Sequence, residues 1–152
     1  MYVISGCLMG HNCKYNGGNN RNEAVLAFAE TRPHVIACPE TEARLPVPRE
    51  PAEWKDGRVI DRGGKDITED FLRGSVISMN KVLKGAEARG EEIEGAILKA
   101  NSPSCGSGVI YDGTFSGSLV PGDGCFTAML KERGIRVISE KELEADPDIF
   151  CP

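Results

Sequence analysis

The residues best equipped for chemistry in this chain of 152 are its six cysteines. Cys7 follows the run Tyr2-Val3-Ile4, Cys38 follows Val35-Ile36-Ala37, and Cys105 lies in a Ser-Pro-Ser-Cys-Gly loop beyond Ala96-Ile97-Leu98. Each run reads as a short β-strand. Three thiols from distant parts of the chain therefore fall at or just past strand carboxyl ends. In a parallel sheet those ends share one edge, where open α/β proteins build their sites. One free cysteine is normally a small buried hydrophobe, but three meeting at one edge point to thiolate ligation of a metal.

All-thiolate ligation suits zinc or an iron–sulfur cluster. A structural zinc site is closed by four ligands, often from Cys-x-x-Cys knuckles, and no such knuckle is present, since five residues separate Cys7 from Cys13. Iron–sulfur clusters accept dispersed thiolates, with Cys13 a candidate fourth ligand. Without Cys13, one iron is left open to a substrate and the cluster becomes a Lewis acid. Cys125, beside Gly124 at the start of a late helix, reads as a packing residue, and Cys151, near the C-terminus, as a thiol without function.

The elements that must position these thiols alternate between strand and helix. Asn22 caps a predicted helix running to Glu30, and the Asp66–Asp70 segment starts a long one. In that helix Phe71, Leu72, Ser75, Val76, Met79, Val82 and Leu83 recur at helical spacing until Gly90. Val109-Ile110-Tyr111 before Asp112-Gly113 predicts a strand and turn, Gly124 to Arg133 a further helix, and Arg136–Ser139 a last strand. The expected fold is α/β: one domain over residues 1–152, with a mostly parallel central sheet flanked by helices and the site at the strand carboxyl ends. Prolines 39, 46, 48 and 51 exclude a regular helix from that stretch, and Asn101 to Pro121 reads as loops around one strand.

Net charge is −5, so no global positive field draws the chain onto nucleic acid, and DNA is not an expected partner. No apolar run approaches the ~20 residues of a membrane span, and the N-terminus lacks a signal pattern, so a soluble cytoplasmic protein with reduced thiols is expected. Gly63-Gly64-Lys65-Asp66 lacks the full phosphate-loop pattern, and the Glu91, Glu92, Glu94 run reads as solvated surface. His11 and His34 stand in no nucleophile motif.

The segments Ser5-Gly6-Cys7-Leu8-Met9-Gly10, Lys14-Tyr15-Asn16-Gly17, Cys38-Pro39-Glu40, Leu45-Pro46-Val47-Pro48-Arg49, Gly64-Lys65-Asp66-Ile67-Thr68, Ser102-Pro103-Ser104-Cys105-Gly106 and Ile110-Tyr111-Asp112-Gly113 occur in this order. Together they resemble the thiouracil desulfidase family over nearly the whole chain. The resemblance implies a [4Fe-4S] cluster held by Cys7, Cys38 and Cys105, with Cys13 an optional neighbour. It also implies removal of sulfur from thiolated pyrimidines, thiouracil or thiouridine, as small-molecule substrates; tRNA is not favoured and the oligomeric state is left open. Asn16 stands where an Asp is common in the family, and Ala43-Arg44 replaces a glycine-rich pair, which bears on substrate choice more than on the cluster.

The implied reaction exchanges C=S for C=O by hydrolysis, without net electron transfer. A soft thiocarbonyl sulfur favours an open thiolate-ligated iron, and water must be deprotonated and delivered to the ring carbon. Glu40, two residues from Cys38, is the expected general base and later proton donor, with Glu42 in reserve. Of Ser102 and Ser104, one organises the turn and the other meets substrate or water. Lys99 either stabilises charge near the site or caps its loop. The rival readings are a non-catalytic four-cysteine metal protein, either electron carrier or structural zinc domain, and a thiol redox protein.

Overall fold

The computed structural model describes residues 1–151. Strands β1 (Tyr2–Ser5), β2 (His34–Ala37), β5 (Gly95–Leu98) and β8 (Val137–Ser139) form one all-parallel sheet in the order β2-β1-β5-β8. Two antiparallel hairpins stand apart from it: β3 (Ala52–Lys55) with β4 (Arg58–Asp61), and β6 (Val109–Tyr111) with β7 (Leu119–Pro121). The helices are α1 (Glu23–Glu30), α2 (Pro39–Glu42), α3 (Thr68–Arg89), α4 (Cys125–Glu132) and α5 (Glu140–Ala145). Among the described residues no helix is long and apolar enough to cross a membrane.

Alternate strand residues face opposite sides of a sheet, and the buried residues divide accordingly. Val3, Ala96, Leu98 and Val137 pack with Met79, Val82, Phe126 and Leu130 under α3 and α4. Tyr2, Ile4, Ile97 and Ile138 pack with Val25, Phe28 and Leu143 under α1 and α5. Each strand is apolar on both faces, as a parallel sheet covered by helices requires. The connection after β1 leads outward to β2 and the one after β5 leads the opposite way to β8, so the loops after β1 and β5 diverge and leave a crevice at their carboxyl ends.

The helix termini follow from their residues. The Asn22 side chain accepts the Val25 amide at 3.0 Å. Asp66 accepts both the amide and the hydroxyl of Thr68, and α3 ends at Gly90 in the left-handed conformation. Helix α5, which the periodicity did not predict, is closed by a reciprocal capping box between Ser139 and Glu142. The proline-rich stretch departs from expectation, because a single helical turn begins at Pro39. Proline at the first helical position gives up only an amide that has no intrahelical partner there, so Pro39 starts α2 where an interior proline would break it. The loop-rich stretch 101–121 also holds one strand more than expected, β7, paired with β6.

Helix α2 carries the Cys38 and Glu40 region and rests on α3 at Gly74, where an added Cβ would stand 1.9 Å from the Pro39 carbonyl oxygen. Alanine there gains about 1 kcal/mol of helix propensity. It must also push back a backbone carbonyl, and such overpacking costs about 1–3 kcal/mol or more. Gly74→Ala is therefore expected to lower the melting temperature by a few degrees, at about 2–4 °C per kcal/mol for a chain of this size. A variant melting above the parent in a thermal scan would contradict this packing.

Candidate functional site

One cavity of about 510 Å³ opens at the carboxyl edge of the sheet, and Cys7, Cys13, Cys38 and Cys105 all line it. Cys7 follows β1 on a short 3₁₀ turn (Gly6–Met9), and Cys38 lies between β2 and α2. Cys105 is presented by the loop after β5. The start of α4 pins that loop: the amides of Cys125 and Phe126 donate to Pro103 and Ser104, and Thr127 Oγ1 donates to the Cys105 carbonyl at 2.7 Å. Carbonyls of the loop thus satisfy helix amides that have no intrahelical partner. From the other side, Trp54 Nε1 donates to the Pro103 carbonyl at 2.8 Å.

The sulfurs differ in their electrostatics. Burial pushes Cys7 and Cys105 above the ordinary thiol range; the charge of Cys38 pushes each further, and that of Cys7 also raises Cys105. The interaction of the neighbouring Cys13 and Cys38 side chains raises Cys13 and, together with Thr41 and against burial, brings Cys38 down to about 6. Several thiolates in this cavity are thus mutually unfavourable unless a cation joins them. Among the described residues, no three His, Cys, Asp or Glu side chains converge closely enough to hold a single metal ion.

Glu40 is fixed from both sides. Its Oε1 accepts from Arg49 Nε at 3.2 Å and Nη2 at 3.1 Å, and its Oε2 accepts from Ser104 Oγ at 2.9 Å. The pair is largely shielded, with side-chain exposures of 8% for Arg49 and 18% for Glu40, so the contact is not a solvated surface ion pair. Arg49 also donates to the carbonyls of Cys13 and Pro46, which ties the cysteine loop to the carboxylate. The sequence had marked Arg49 only as part of a segment. Its contact with Glu40 spans nine residues through an irregular loop that no periodicity reveals.

The two serines separate into distinct positions. Ser102 Oγ accepts the Cys105 amide at 2.8 Å and so shapes the turn. Ser104, almost fully buried, lies between Glu40 and the Cys105 sulfur, 3.7 Å away. Lys99 lines the cavity and pairs with Glu140 at 3.2 Å, while its Nζ also donates to the Ala100 carbonyl, so both roles considered for it have a structural counterpart. Glu42 does not reach the cavity, because it binds Lys81 and Ser78 on α3. Cys125 contacts Ser75 and Phe71 between α3 and α4, in keeping with packing. His34 Nδ1 donates to the Arg32 carbonyl at 2.8 Å, away from the site. Arg44 holds φ 63°, a left-handed conformation that glycine adopts more readily, which accounts for the glycine-rich pair expected there.

The family model described as 2-thiouracil desulfurase matches residues 2–142. The uncharacterized protein YbbK of Bacillus subtilis (strain 168) is 39% identical over 153 residues, covering 94% of this chain and 97% of that protein. The solved structure of the [4Fe-4S]-dependent thiouracil desulfidase TudS (DUF523Vcz) is similar at a TM-score of 0.81 and 36% identity, over 95% of this chain and 93% of that one.

Removing the Arg49 guanidinium strands the Glu40 carboxylate in a shielded site. Arg49→Ala is expected to cost about 3 kcal/mol of stability, in the manner of a broken buried pair. The double variant Arg49→Ala with Glu40→Gln is expected to recover part of it. Chemical denaturation of wild type, both single variants and the double variant measures both; additive losses would show that the two side chains do not interact.

Proposed function

This chain belongs to the 2-thiouracil desulfurase family, and from that premise we propose that it is a [4Fe-4S]-dependent, non-redox desulfidase. It replaces the sulfur of a thiolated pyrimidine base or nucleoside with oxygen by hydrolytic exchange and releases sulfide. The observation that carries this reading is the placement of Glu40, fixed by Arg49 and Ser104, in the same cavity as Cys7, Cys38 and Cys105.

The donor set fits the cluster. Buried thiolates that disfavour one another are stabilised by a cationic iron core, and a core of several irons takes each sulfur on a separate iron. Cys7, Cys38 and Cys105 would hold it, and an open iron would supply a soft Lewis acid for the thiocarbonyl sulfur. In this reading Cys13 is a neighbour of Cys38 in the cavity and not a ligand, which distinguishes it from the four-cysteine alternative. Such a neighbour orients a ligand and tunes it without occupying a coordination position.

The chain's own residues manage water and protons. Arg49 occupies Oε1 of Glu40, so the carboxylate keeps one orientation and Oε2 is the oxygen that receives a proton from water. Ser104 donates to that same oxygen and holds it beside Cys105. Ser102 acts at one remove, by keeping the Cys105 loop in its turn. Glu40 then returns the proton to the departing sulfur or ring nitrogen. A net charge of −5 favours a small thiolated pyrimidine over an RNA backbone, and thiolate ligation of a cluster favours a reducing compartment such as the cytoplasm.

Anaerobically reconstituted protein is expected to be brown and to convert 2-thiouracil or 4-thiouridine to the oxo compound with one sulfide released per turnover. Glu40→Gln is expected to keep the colour and lose about 10²–10⁴-fold in kcat. Cys7→Ser, Cys38→Ser and Cys105→Ser are each expected to lose cluster and activity together, whereas Cys13→Ser keeps the cluster. Colourless, zinc-loaded wild-type protein would overturn the reading, and loss of iron in Cys13→Ser would favour the four-cysteine alternative.

A further inference from the structure

The cavity includes a feature that the chemistry at Glu40 and the cysteines does not use. Phe115 lines it from the tip of the β6–β7 hairpin. Its backbone sits at φ 55°, a left-handed conformation that bulky side chains avoid. Phe115 belongs to none of the three buried apolar clusters, so core packing does not explain its presence. Local strain of this kind persists only where surrounding structure enforces it, and it concentrates at ligand contacts.

The enforcing structure is specific. Glu53 on β3 is buried, and its Oε1 accepts two backbone amides of the hairpin tip, Gly113 at 3.0 Å and Phe115 at 3.1 Å. Gly113, at φ 93°, lets the tip press onto β3, since a Cβ there would lie 2.8 Å from both the Trp54 carbonyl and Lys55. The Arg62 guanidinium lies over the Phe115 ring, 5.4 Å from its centroid, within cation–π range. A buried carboxylate and a tight backbone approach thus hold an aromatic ring, half-exposed, at a cavity wall. A flat aromatic ring presented in this way recognises another flat, conjugated ring.

Resting on the desulfidase reading, we propose that Phe115 is the stacking wall that selects a planar, conjugated thiolated heterocycle, and that Glu53 is its positioning residue. The selection acts on ring planarity and conjugation, independently of the sulfur. Its sharpest substrate contrast is 2-thiouracil against 5,6-dihydro-2-thiouracil, which keeps the thiocarbonyl and both N–H groups but has a puckered, partly saturated ring.

The test compares kcat/KM for these two compounds in reconstituted wild type, Phe115→Leu, Phe115→Tyr, Glu53→Ala and Glu53→Gln. Calorimetric binding of uracil and dihydrouracil to the same proteins runs in parallel. Phe115→Leu is expected to cut the preference for the conjugated ring by about tenfold, the scale of base–aromatic stacking, while Phe115→Tyr retains it. Glu53→Ala is expected to lose the preference and Glu53→Gln to restore it, because an amide oxygen still accepts the two backbone amides. A preference unchanged in Phe115→Leu, in turnover and in binding, overturns the proposal. If wild type binds uracil over dihydrouracil through Phe115 yet releases no sulfide from either thio compound, the stacking wall stands and the desulfidase reading fails.

Discussion

Four sulfurs in one cavity impose the constraint on which the rest of the site depends. Burial already disfavours the charged forms of Cys7 and Cys105, and each thiolate formed makes the next harder to form. Without a cation, one sulfur takes the charge: Cys38 is drawn down while Cys7, Cys13 and Cys105 are pushed up and stay protonated. A cationic core relieves the conflict by taking up the charge that the sulfurs cannot share. The remaining structure keeps those sulfurs at a common edge. Parallel pairing of β1 with β2 and β5 fixes where each loop departs, and apolar packing on both sheet faces fixes the strands.

Around this edge, the polar network is tied to the ligand loops rather than to the sheet alone. Arg49 reaches both Glu40 and the Cys13 carbonyl, and Ser104 reaches both Glu40 and the Cys105 sulfur. The carboxylate is consequently indexed to two of the cysteine loops, so a shift of either loop moves Glu40 with it. Rigid support comes from outside: α4 holds the Cys105 loop by its first amides, Trp54 holds Pro103, and Gly74 seats α2 on α3. Precise placement of this kind matters because proton transfer depends on reach before it depends on basicity.

Much of this was legible from residue order, for physical reasons. Short β-branched runs at 2–4, 35–37 and 96–98 announced the sheet strands, and the position of a cysteine after each announced the common edge. Asn22 and Gly90 behaved as a cap and a stop because those roles are local. The proline count misled at Pro39, where position within the turn decides whether proline breaks a helix or begins one. The β3–β4 hairpin is not legible although Asp56-Gly57 is a turn signal, because Ala52-Glu53-Trp54-Lys55 and Arg58-Val59-Ile60-Asp61 carry charged residues where the sheet strands have apolar runs. Arg49 and Glu53 are not legible for a deeper reason. Their partners, Glu40 and the Gly113–Phe115 amides, are chosen by tertiary approach, which sequence spacing does not encode.

The central claim is that three thiolates grip an iron–sulfur core and leave one iron for the substrate's sulfur. Mössbauer spectroscopy of protein reconstituted with ⁵⁷Fe, before and after adding 2-thiouracil to the Glu40→Gln variant, tests it most directly. The account predicts one iron site distinct from the others, whose spectrum alone changes when the thiocarbonyl compound is added. Irons that are all thiolate-ligated, equivalent and indifferent to the compound would contradict it.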